Sequence, residues 1–76
     1  MVKRKSQVVN RVRDYRFAKG EMTQQELAAA IGVARQTIIA IEQGKFCPSL
    51  ESALRLAQIF EVPVDDIFML AEEASD

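Results

Sequence analysis

Seventy-six residues have room for one small domain, because a chain of this size buries only about 60% of its unfolded surface, and a large catalytic cavity is excluded. With 49% apolar residues, two prolines and three glycines, and with few strand-forming runs, the composition excludes a disordered chain and predicts a compact all-α domain. The single cysteine, Cys47, and the lack of histidine exclude an internal disulfide and the commonest zinc sets, so no metal or cofactor is expected.

The net charge of −1 conceals an asymmetry. Residues 1–50 carry nine Lys and Arg against four Asp and Glu, whereas residues 51–76 carry one against seven. Such a dipole orients a molecule on a polyanion, although an unevenly charged solvated surface accounts for the counts equally well. Lys3-Arg4-Lys5 looks like the charged start of a leader, but Ser6 to Arg11 interrupts any apolar run of the needed length. No stretch approaches the roughly 18 apolar residues of a membrane span. A cytoplasmic protein without membrane association is expected, organised as a flexible basic arm (1–8), a helical domain (9–70) and an acidic tail (71–76).

Val8, Val12 and Tyr15 stand at i, i+4 and i+7 and predict the buried stripe of a first helix ending near Lys19-Gly20, with Arg11, Arg13 and Lys19 outside it. Thr23-Gln24-Gln25-Glu26 is a capping box, in which hydroxyl and carboxylate each satisfy an orphan N–H, and Met22 with Leu27 forms a hydrophobic staple across the same start. The second helix turns Leu27, Ala28 and Ile31 to the core and stops at Gly32, which accepts the positive φ of a tight turn.

A third helix begins around Ala34 or Arg35. At 100° per residue Ile38 and Ile41 point inward, while Arg35, Gln36, Ile39, Ala40 and Gln43 share the opposite arc. Gln43-Gly44-Lys45 ends it, Pro48 marks the break, and Ser49 caps a fourth helix. Leu50, Ala53, Leu54 and Ala57 are its expected buried stripe, continued by Phe60 and Val62. A short fifth helix starts near Pro63, with Asp65 and Asp66 in its first turn and Val64, Ile67 and Phe68 as its apolar face. A polar, frayed end is expected from Glu72 to Asp76.

The informative unit runs from Gln24 to Gln43. Its residues are apolar, tiny or flexible where two helices crossing through a short turn require it, and Ala28 is small where a larger side chain would push the helices apart. That is the pattern of a helix-turn-helix. Through "MTQQELAAAIGVARQTIIAIEQGK", "PSLESALRLAQIFEV" and "DDIF" the chain from Val9 to about Leu70 resembles the small Cro/C1-type (Xre-like) helix-turn-helix regulators. The resemblance implies five helices, the second crossing the DNA backbone and the third lying in the major groove. Arginine pairs with guanine, glutamine with adenine, and methyl-bearing side chains touch the thymine methyl. Arg35, Gln36, Ile39 and Ala40 are accordingly the expected base readers.

By the same resemblance Thr37 holds a phosphate, and Gln24 corresponds to the family's phosphate-binding glutamine at a helix N-terminus. Lys45, after Gly44, is a third expected phosphate contact. Ala34 departs from the Ser or Thr usual before this helix and lacks a side-chain cap typically worth about 1 kcal/mol. Arg16 and Glu42 pair, by analogy, in a partly buried salt bridge between the first and third helices. Glu51 and Asp65/Asp66 have no nucleophile, metal set or phosphate-cradling loop beside them, so no catalytic residue is assigned.

Lys3-Arg4-Lys5 fits a backbone or minor-groove arm and, equally, a solubilising tail. Phe17 falls off the first stripe, and with Phe68-Met69-Leu70 it suggests a symmetric dimer contact, core packing being the competing account for Phe68. The reading is a sequence-specific DNA-binding regulator, a repressor by steric logic, that binds a palindromic operator as a homodimer without a small-molecule ligand. Its alternative is an antitoxin-like or adaptor protein whose acidic fourth and fifth helices bind another protein.

Overall fold

A computed structural model describes residues 8–71; the basic cluster at Lys3-Arg4-Lys5 and the tail from Glu72 lie outside them. In chain order the elements are β1 (Val8–Asn10), α1 (Val12–Ala18), α2 (Gln24–Ile31), α3 (Arg35–Glu42), α4 (Leu50–Phe60), α5 (Val64–Ile67) and β2 (Phe68–Leu70). Five helices pack around one core, closed at one end by β1 and β2, which pair antiparallel with Val8 opposite Leu70 and Asn10 opposite Phe68.

The ribbon corrects two expectations. Val8 is not on the first helix, because Asn10 stops the helix short of it: its Oδ1 accepts from the Val12 N–H at 3.1 Å, supplying a helix-start acceptor from outside. The β-branched pair Val8-Val9 before it is then free to extend. Phe68 likewise leaves α5, which ends at Ile67, and enters β2 with extended backbone at φ −119° and ψ 135°. The Arg11 N–H donates to the Ile67 carbonyl at 2.8 Å and locks the two changes of direction together.

Val12, Leu27, Ala28, Ile31, Ile38, Ile41, Leu56, Phe60 and Ile67 form the core. Each fully buried Leu or Ile contributes about 1.5–3 kcal/mol relative to exposure. In α4 the buried residues are Ala53, Leu56 and Phe60, whereas Leu50 is 74% and Leu54 49% exposed, contrary to the expected stripe. Leucine, isoleucine and alanine occur around most of this helix, so spacing alone allowed more than one register. Phe60 stacks on Tyr15 with ring centroids 5.6 Å apart, and the register that puts Leu56 and Phe60 inward puts Leu50 and Leu54 outward.

The joint between α2 and α3 follows the expected chemistry. Thr23 Oγ1 accepts from the Glu26 N–H at 3.0 Å and Glu26 Oε1 from the Thr23 N–H at 2.8 Å, completing the capping box. At the other end Gly32 adopts φ +78°, and the N–H groups of Gly32 and Val33 both donate to the Ala28 carbonyl, at 2.9 and 3.0 Å. With Ala28 fully buried, α2 packs chiefly against α3.

Candidate nucleic-acid interface

α3 opens without a side-chain cap: Ala34 is extended at φ −77° and ψ 152°, the geometry a capping Ser or Thr would use. Ile38 and Ile41 are fully buried beneath the helix. Arg35 and Gln36 are exposed, Ile39 and Ala40 half-buried along the same outward arc, and Thr37 half-buried at its edge. At the far end Gly44 takes φ +76° and the Lys45 N–H donates to the Ala40 carbonyl at 3.0 Å, so exposed Lys45 flanks the same surface. The fold thus sets Arg35, Gln36, Ile39 and Ala40 on one short helix with Thr37 and Lys45 at its margins.

What holds this helix is polar as well as apolar. Glu42 accepts from Arg16 Nε at 2.7 Å and Arg16 Nη2 at 3.1 Å, a two-pronged pair whose side chains are 8% and 7% exposed. Arg16 Nη1 donates to the Met22 carbonyl at 2.8 Å, just before α2. Gln24 Nε2 donates to Glu42 Oε1 at 3.1 Å. One carboxylate at the end of α3 therefore gathers α1 and the first turn of α2, and no buried side-chain polar atom among the described residues lacks a partner.

This network was legible in part. The Arg16–Glu42 pairing came from resemblance, while the bond from Gln24 was not anticipated, because nothing in the spacing of Gln24 and Glu42 announces contact across two helices. In the free protein Gln24 thus spends an amide hydrogen on Glu42 while standing in the first turn of α2. Asn10 was missed outright. Besides capping α1, it donates from Nδ2 to the Ile41 carbonyl at 2.8 Å, tying the ribbon to the last turn of α3. An Asn immediately before a helical stripe is itself a capping signal, and weighing it would have found half of this role.

Phe17 lies off the buried stripe of α1, as its spacing predicts, but apart from Phe68-Met69-Leu70. It is 46% exposed and lies against Arg13 and Arg16, whereas Phe68, Met69 and Leu70 line a separate hollow with Val8. The two do not form one patch. The larger apolar groove runs between α4 and the start of α5, an open hollow of about 1020 Å³ with Leu50, Leu54, Val62 and Pro63 on its walls and Glu51, Arg55 and Glu61 around them. Among the described residues no group of three or more potential metal ligands occurs.

The resemblance to known proteins covers the same ground. A helix-turn-helix family model matches residues 12–67. An uncharacterized HTH-type transcriptional regulator of Archaeoglobus fulgidus is 46% identical over 63 residues, covering 83% of this chain and 87% of that protein. Another, from Methanocaldococcus jannaschii, is 47% identical over 64 residues and covers 84% and 96%. The cryptic phage CTXphi transcriptional repressor RstR of Vibrio cholerae is 33% identical over 67 residues, 88% of this chain and 60% of the repressor. In fold, the crystal structure of a Bacteroides fragilis protein superposes with a TM-score of 0.70 at 24% identity, over 82% of this chain and 98% of that one. Helix pair, turn, core and relatives agree, and the chain belongs to the Cro/C1-type helix-turn-helix family of DNA-binding transcriptional regulators, a non-catalytic regulatory family.

Proposed function

We propose that this regulator is a cytoplasmic repressor that binds a near-palindromic operator as a homodimer, with α3 in the major groove. The observation that carries the reading is the outward arc of α3, polar and apolar side by side, on a helix fastened from behind by the Arg16–Glu42–Gln24 network. Arg35 and Gln36 read purines through paired hydrogen bonds, and Ile39 and Ala40 press on thymine methyls. Gln24, Thr37 and Lys45 take phosphates and set register without choosing sequence. The repressor sign is supported by a relative, RstR, which is described as a transcriptional repressor.

The homodimer reading draws on the groove between α4 and α5. Leu50 and Leu54 stand exposed there, and beside them Arg55 and Glu51 already neutralise each other at 2.8 Å, leaving an apolar patch that a two-fold axis can pair with itself. Two recognition helices about 34 Å apart would then meet successive major grooves. The same groove is what an adaptor or antitoxin-like role would use, and the two readings part on DNA. Selection from a pool of randomised duplexes tests this directly: a two-fold symmetric consensus is expected, with preference at single positions relaxed by Arg35→Ala and Gln36→Ala. Enrichment of no sequence, or a consensus indifferent to both substitutions, would sink the assignment.

A further inference from the structure

Phe17 has an unusual pair of neighbours. The Arg13 guanidinium carbon lies 5.2 Å from its ring centroid and that of Arg16 lies 4.8 Å away. Both cations are drawn to the negative face of the ring. They differ in what else holds them. Arg16 is neutralised by Glu42, whereas Arg13 takes part in no ion pair among the described residues. An arginine with several rotatable bonds is thus held against α1 by stacking, with its charge uncompensated.

That charge faces an open cavity of about 590 Å³, whose walls include Arg13, Phe17, Gln24, Gln25 and Arg35. The paired Arg16 and Glu42 also line it, as does the carboxylate of Glu21. Arg16 and Glu42 cancel, so two unpaired guanidiniums remain against one carboxylate, and the hollow is electropositive. It is a gap between α1 and the α2–α3 pair, and Arg35, the first residue of the reading helix, is one of its wall residues.

The geometry points to a further grip on the DNA backbone beside Gln24: a phosphodiester oxygen lodged in this cavity, bound by Arg13 with Gln25 as the neutral donor beside it. Phe17 is the positioning residue, its ring holding the Arg13 guanidinium at the cavity before DNA arrives. The inference rests on the DNA reading above and deepens it. It also accounts for a half-exposed phenylalanine that the core does not use.

The test is equilibrium binding of the full chain to its selected duplex and to a random duplex of equal length, across about 50 to 200 mM salt. Arg13→Gln is expected to weaken both complexes about fivefold, to lower the slope of log affinity against log salt by about 0.9, and to leave the ratio between the two duplexes unchanged. Phe17→Leu keeps the Arg13 charge but removes the ring. It is expected to weaken both complexes less, and Arg13→Gln is expected to cost less on top of it than alone. Both positions are exposed, and unchanged thermal midpoints would show that the fold is intact. If Arg13→Gln leaves slope and affinity unaltered while the parent protein binds in a salt-dependent way, the grip is refuted and the reading face stands. Strict additivity of the two substitutions refutes the positioning role of Phe17. A parent protein with no salt-dependent affinity for any duplex overturns this inference and the DNA reading together.

Discussion

At the scale of single residues, Glu42 has the most to lose. It is the common acceptor for Arg16 and Gln24, and its removal leaves an arginine that is 6% exposed without its counter-charge. Glu42→Ala is expected to cost about 3–5 kcal/mol, a large share of the roughly 5–15 kcal/mol that holds a domain together. Urea unfolding should show the midpoint fall with the slope unchanged; a shift below about 1 kcal/mol would mean that water already reaches the pair. Ala34 is the opposite case. Its backbone has capping geometry and its side chain offers no acceptor, so Ala34→Ser should stabilise by about 1 kcal/mol and raise the thermal midpoint by roughly 4–8 °C. A lower midpoint would show that the N–H groups at the start of α3 are satisfied already.

At the scale of elements, devices that act within a few residues were readable and those that act across the fold were not. The capping box of α2 and the left-handed stop at Gly32 are local, and Thr23, Glu26 and Gly32 announce them by type and spacing. The inward face of α3 was equally plain, because Ile38 and Ile41 are its only strongly apolar pair at helical spacing apart from the single Ile39. α4 was not, since Leu50 with Leu54 and Leu56 with Phe60 offer two competing arcs, and the one turned inward meets partners distant in the chain, such as Tyr15 beneath Phe60. The ribbon depends on pairing between residues about sixty positions apart, a partnership no window of sequence contains. The register of α4 makes a sharp prediction. Leu56→Ala should destabilise by about 2–5 kcal/mol, whereas Leu54→Ala, measured at concentrations where the chain is monomeric, should stay within about 0.5 kcal/mol. Equal losses by chemical denaturation would reverse the assignment of faces.

At the scale of the whole molecule, the uneven charge counts carry over to the folded domain. Among the described residues, 8–50 carry six Lys and Arg against four Asp and Glu, whereas 51–71 carry one against four, with Glu51 on α4, Asp65 and Asp66 on α5 and Glu61 just after α4. Such an imbalance favours approach of a polyanion to the first stretch over the second, an effect that salt weakens over a screening length of about 8–10 Å. On the reading proposed above, the α4–α5 groove meets another copy while α3 meets DNA. Leu54→Glu, on an exposed position, is expected to leave helix content intact, to shift sedimentation from dimer to monomer, and to weaken operator binding more than binding to random duplex. An unchanged dimer would move the interface elsewhere on the surface.

The antiparallel register of β1 and β2 sets Val8 beside Leu70, so the domain leaves and re-enters its own fold at one doorway. A two-residue Asn-Gly linker is the natural closure for such a doorway. A permuted chain sealed there, and cut open instead in the exposed Lys45–Cys47 stretch, would keep every helix and the Asn10 clasp on Ile41, with its new ends facing solvent.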